Sequence, residues 1–151
     1  MLHAARAVCG LRPPAIRGYA FTMTIERFEV GPRMSQAVVH GGVAYLAGII
    51  AEDPVPSVVE QTRQILARID RLLATVGSDK TKILKANIWL SDIRRFDEMN
   101  AVWDTWVAKA SPPARATVEA RLASADHLVE IMVEAAAPRG RDGQVEMPLG
   151  Q

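Results

Sequence analysis

Two stretches near the end of the chain alternate apolar with less apolar residues, a period of two that a β-strand can turn into one buried face and an α-helix cannot. The first follows Pro112-Pro113, a pair that cannot continue a preceding helix. In it Ala116, Val118, Ala120 and Leu122 alternate with Arg115, Thr117, Glu119 and Arg121. In the second, Val129, Ile131, Val133 and Ala135 alternate with Glu130, Met132, Glu134 and Ala136. The chain must therefore build a sheet, and the alternation places Arg115 and Glu130 together on the less apolar side of neighbouring strands.

The remaining elements follow from periodicity and turn chemistry. A short strand is expected over residues 24–30, broken by Gly31-Pro32. Residues 36–40 and 43–48 flank Gly41-Gly42, whose freedom at positive φ suits a tight hairpin. From Ser57, placed to cap, apolar residues recur at helical spacing through Val59, Ile65, Leu66, Ile69, Leu72, Leu73 and Val76, and Gly77 can end the helix. A strand is expected over residues 83–90, with Leu84, Ala86, Ile88 and Leu90 sharing one face. Phe96, Met99, Trp103, Trp106 and Val107 mark a second helix, closed by Ser111-Pro112-Pro113. Asn100 lies on or beside that apolar stripe, where its amide needs a partner, for which a neighbouring loop suffices.

This order predicts an α+β domain, one mostly antiparallel sheet with two helices packed on one face. The uncovered face would carry Val43, Tyr45, Trp89 and Met132 together with Arg115, Thr117 and Glu130, an aromatic surface that calls for a homo-oligomer. The domain is expected over residues 23–138, with 139–151 a flexible tail. Residues 1–22 hold Arg6, Arg12 and Arg17 and no acid, as an organellar targeting segment does, although Met23 serves equally as a start. A cytoplasmic location is expected, or a mitochondrial one if that leader is a targeting segment.

Charge and composition remove several function classes. Lys+Arg 18 against Asp+Glu 17 leaves a net charge of +1, so nucleic acid is not an expected partner, and no apolar run is long enough to make a membrane span. Cys9 is the single cysteine, so no internal disulfide or cysteine-based zinc site can form. No nucleophile elbow, phosphate-binding loop, dinucleotide fingerprint or zinc-protease motif occurs. His40 and His127 have no motif partner and read as solvated or packing residues. What remains is Arg115, whose planar fork suits a carboxylate, and Glu130, able to hold a water. Taken by spacing alone, the same two residues equally describe a structural cross-strand pair.

Ala-Gly at 47–48, Phe-Asp-Glu-Met-Asn at 96–100, Pro-Ala-Arg-Ala-Thr-Val-Glu at 113–119 and Val-Glu-Ile at 129–131 occur in an order that resembles the RidA/YjgF reactive-intermediate (enamine/imine) deaminase family, its YoaB-like branch in particular. The resemblance extends from Met23 to Ala137. It implies a chorismate-mutase-like fold assembled as a homotrimer with sites between subunits, no metal and no organic cofactor. It further implies that Arg115 binds the carboxylate of a 2-imino acid, that Glu130 positions the water, and that Gly48, Asn100 and Thr117 line the site. The implied reaction is hydrolysis of 2-aminoacrylate-type imines and enamines to 2-keto acids and ammonia. A non-catalytic small-carboxylate-binding or chaperone-like trimer on the same fold is the alternative, and an RNA-directed activity a third. Two positions depart from the pattern. Met34 stands where a tyrosine is usual, and Thr117 where a cysteine is common.

Overall fold

The computed structural model describes residues 24–138; the expected leader and tail lie outside the described residues. The elements are β1 (Glu26–Val30), β2 (Ser35–His40), β3 (Val43–Leu46), β4 (Ile49–Ile50), α1 (Val58–Thr75), β5 (Ile83–Leu90), α2 (Phe96–Trp106), β6 (Ala114–Glu119) and β7 (Val129–Ala136). Short 3-10 turns, Lys80–Lys82 and Ile93–Arg95, lead into β5 and α2.

One sheet runs in the order β1-β2-β3-β7-β5-β6, with β4 also paired to β7. Every pairing is antiparallel except β5 with β6. These two are joined through α2, as a parallel pair requires a crossover. The Gly41-Gly42 turn takes φ 60° and 82°, the left-handed geometry of a two-residue hairpin. Ser57 caps α1 by accepting the Glu60 N–H at 3.3 Å, and Gly77, at φ 72°, follows its end.

Both helices pack on one face. Ala37, Val39, Ala44, Leu46, Ile49, Ala86, Ile88, Leu90, Val129, Ile131, Val133 and Ala135 from the sheet meet Ile65, Leu66, Ile69, Leu72 and Leu73 of α1 and Met99, Val102 and Trp103 of α2. The helices are joined to each other where the Trp106 indole N–H donates to Asp70 at 2.9 Å. The buried Gln61 of α1 ties two loops together. Its amide donates to the carbonyls of Val55 and Asp126, both at 2.8 Å, and its oxygen accepts the Leu128 N–H at 2.9 Å. Periodicity does not single out Gln61, although it lies on the same helical face as Val58, Ile65 and Leu72.

Two irregularities re-aim side chains. In β5 the register against β7 slips between Ile83 and Lys85, which makes Leu84 the extra residue. Ile83 is consequently buried and Leu84 exposed, the reverse of the alternation expected at that end of the strand. The second irregularity lies between β3 and β4. Tyr45 pairs with Glu134 and Ile49 with Ile131, four steps on one side against three on the other. The surplus residue falls in the Leu46–Gly48 segment, beside the end of β7 that carries Glu130.

Candidate functional site

Strand β6 carries Arg115 at the outer edge of the sheet. Its register pairs Arg115 with Ala86, Thr117 with Ile88 and Glu119 with Leu90, and those three β5 residues are buried against the helices. Residues opposite one another across a ladder share a face. Arg115, Thr117 and Glu119 therefore point to the helix side, while Ala116 and Val118 lie with Asn87 and Trp89 on the open face. This corrects the expected placement of Arg115 and Thr117 on the uncovered side. Alternation tells which residues share a face but not which face the helices cover, and β6 turns its polar set toward α2.

The contacts made there explain the choice. The Arg115 guanidinium donates to the Asn100 side-chain oxygen at 2.8 Å. It also lies over the rings of Phe96, 5.7 Å to the centroid, and Trp103, 5.3 Å. The Glu119 carboxylate accepts the Ile93 N–H at 2.9 Å, holding the turn from which α2 starts. Asp92 caps that turn, and hydrogen bonds from the Arg94 side chain and then the Arg94 N–H lower its pKa to about 2. Arg95 pairs with Glu98 at 2.9 Å on the first turn of α2. Among the described residues, no acidic side chain forms a salt bridge with Arg115. Thr117 Oγ1 is buried beside this cluster with no hydrogen-bond partner.

Glu130 lies elsewhere. It pairs with Trp89 on one side and Ile50 on the other, and with Tyr45, Trp89 and Met132 it belongs to the open face, as expected for those four. A Cβ built on Gly48 would stand 2.1 Å from Glu130 Oε1, so the glycine makes room for the carboxylate. The residues expected at the site thus gather as two groups within one chain, Arg115 with Asn100 and Thr117, and Glu130 with Gly48. Strand β5 separates β6 from β7, so the two are not neighbours as expected. The parallel crossover carries β6 to the outside of β5, whereas β7 pairs along its other side.

Of the two lone histidines, His127 Nδ1 lies 2.7 Å from the Ser124 hydroxyl and His40 Nδ1 lies 3.4 Å from the Thr24 carbonyl. Met34 is exposed in the β1–β2 turn. A cavity of about 200 Å³ opens between β4 and α1, lined by Ile50, Glu52, Gln64, Ala67, Arg68 and Arg71. Its arginines are engaged by Glu29 and Glu52. Among the described residues no group of His, Cys, Asp or Glu is arranged to hold a metal ion, and no helix is long and apolar enough to cross a membrane.

One mostly antiparallel sheet with both helices on one face and a mixed aromatic and charged open face makes this a small two-layer α+β protein. A family model described as endoribonuclease L-PSP matches residues 24–137. A RutC family protein of Haemophilus influenzae is 44% identical over 112 residues, covering 74% of this chain and 97% of the relative. The RutC family protein YoaB of Escherichia coli is 40% identical over 114 residues, covering 76% and 99%. Among solved structures, a YjgF family protein of Neisseria meningitidis superposes with TM-score 0.74 at 47% identity, covering 76% of this chain and 96% of that one. The chain belongs to this RutC/YjgF family.

Proposed function

We propose that this protein hydrolyses reactive 2-imino acids and their enamine tautomers, of the 2-aminoacrylate type, to 2-keto acids and ammonia. One observation carries the reading. Arg115 is held at the sheet edge by Asn100 and two aromatic rings while no acidic side chain among the described residues forms a salt bridge with it, which leaves its fork available to a carboxylate. Thr117 supports it, with a buried hydroxyl on the same face of β6 and no hydrogen-bond partner among the described residues.

The chemistry asks little of the protein beyond positioning. With its carboxylate against Arg115, the imine carbon is electrophilic and accepts a water. Glu130 takes a proton from that water as the new C–O bond forms and the C=N π bond opens, and it returns that proton to nitrogen to give the carbinolamine. The hydroxyl proton of the carbinolamine then passes to the nitrogen, the C–N bond breaks as the C=O bond forms, and ammonia leaves the 2-keto acid.

The two groups of site residues must then come from different subunits. In one chain Arg115 and Glu130 are two strand spacings apart, about 10 Å, are offset by about 10 Å along the strands, and face opposite sides. A homotrimer that joins the β6 edge of one subunit to the open face of the next brings Arg115, Asn100 and Thr117 to Gly48 and Glu130. It also covers Tyr45, Trp89 and Val118, of which Tyr45 is 44% and Val118 49% exposed in the single chain.

The test is the decay of an imine generated in place by an amino-acid oxidase, with ammonia release followed in parallel. Arg115→Ala is expected to lose at least ~100-fold in kcat/KM, a few kcal/mol for a charged hydrogen-bonded pair. Decay at the wild-type rate in this variant would sink the reading. Saturable binding of a 2-keto acid without ammonia release from any imine would instead make the protein a carboxylate-binding trimer.

A further inference from the structure

We propose that Phe96, Asn100 and Trp103 form an uncharged cradle, whose function is to fix the orientation of Arg115 without neutralising it. This role rests on the reading of Arg115 as a carboxylate clamp, and it makes Phe96 and Trp103 positioning residues.

The three residues lie one turn apart on the same side of α2, at 96, 100 and 103. A helix repeats about every 3.6 residues, so this spacing makes one continuous stripe. Across it lies a single guanidinium, 5.7 Å from the Phe96 centroid, 5.3 Å from the Trp103 centroid and 2.8 Å from the Asn100 oxygen. Each contact attracts a cation without carrying a net negative charge, the rings through their quadrupoles and the amide through its dipole. Other arginines of the same molecule are held differently. Arg63, Arg68, Arg71, Arg94 and Arg95 are each paired with a carboxylate, the usual way to fix an arginine, while Arg27, Arg33 and Arg121 form no salt bridge among the described residues and no such aromatic contact. Trp103 is 4% exposed and belongs to the core, so the cradle is anchored in the rigid part of the domain.

An amide and a carboxylate have nearly the same shape, which makes Asn100→Asp the decisive substitution. The variant keeps every packing contact and adds an ion pair, so the fold is retained, but the pair competes with any ligand carboxylate. Titration of the purified full-length protein with pyruvate by calorimetry, together with steady-state imine hydrolysis, reads the effect. Pyruvate affinity and kcat/KM are expected to fall at least ~30-fold in Asn100→Asp, through KM more than kcat, while the unfolding midpoint stays equal or rises. Trp103→Leu is expected to lose ~10-fold, also in KM, from the missing cation–π contact. Trp103→Phe, which restores a ring face, should recover most of that loss.

Failure of the cradle and failure of the clamp give different results. If wild-type protein binds pyruvate and hydrolyses imines and Asn100→Asp does both equally well, the uncharged cradle is wrong and the clamp stands. The same conclusion follows if Trp103→Phe is no better than Trp103→Leu. If the wild-type protein does neither, the clamp is wrong and the cradle falls with it.

Discussion

Arg115 and Glu130 occupy opposite faces of one sheet, with β5 between their strands and Ala86 and Trp89 as their respective partners in it. A small substrate cannot touch both from a single chain. Subunits carrying Arg115→Ala and subunits carrying Glu130→Gln are each expected to be inactive alone, and to regain activity when co-assembled. Random mixing in equal amounts would leave about a quarter of the inter-subunit sites with both native residues, and imine hydrolysis would return to about that fraction. Co-expression with distinguishable tags measures it; complete failure to complement in verified mixed oligomers would show that the two residues do not share an inter-subunit site.

Gly48 is expected to tolerate no side chain. Its Cβ would lie 2.1 Å from Glu130 Oε1, so Gly48→Ala must displace the carboxylate. Misplacing a reacting group by about 1 Å costs up to ~100-fold, and the loss should appear in kcat while 2-keto acid binding, held by Arg115, changes little. A kcat equal to wild type would show that Glu130 has no positioned role.

Gln61→Leu is expected to destabilise the domain by about 2–3 kcal/mol. The substitution strands the Val55 and Asp126 carbonyls and the Leu128 N–H together, all three satisfied by one amide. Urea unfolding of the purified protein provides the measurement, and a midpoint unchanged from wild type would mean that water replaces the amide at no cost.

Stability should also decline at acid pH through the turns that precede β5 and α2. Asp79 and Asp92 both have their pKa lowered to about 2 from 3.8, the first mainly by the Thr81 side-chain hydrogen bond and the second mainly by that of Arg94. A carboxylate with a depressed folded-state pKa stabilises the fold above its unfolded value, and the contribution is lost as pH falls from about 4 through about 2. Carboxyl chemical shifts followed by NMR should show both groups titrating below the ordinary aspartate value of 3.8, and Asp92→Asn should flatten the acid limb. Midpoints at the ordinary carboxylate value would remove the effect.

Much of the fold is legible in the chain alone because its signals are local. Ser57 and Gly77 bracket α1, Gly41-Gly42 closes the hairpin, and the period-two runs mark β6 and β7, although β6 stops at Glu119, short of the expected Ala120 and Leu122. Phe96, Asn100 and Trp103 share a helical stripe that their spacing alone reveals. The family likewise is carried by contiguous motifs around Arg115 and Glu130, and the match to residues 24–137 bears it out.

Tertiary structure alone decided which way those motifs face. The sequence determines that Arg115, Thr117 and Glu119 point together, because alternation is a property of one strand. Whether they meet helices or open space depends on where a parallel crossover lays β6, and on what α2 presents to it. Likewise the extra residue before β4 that brings Gly48 under Glu130 is a relation between two strands, invisible in either. The separation of Arg115 from Glu130 is of the same kind: it is set by strand order, which pairwise periodicity does not encode, and it makes a neighbouring subunit necessary for the proposed site.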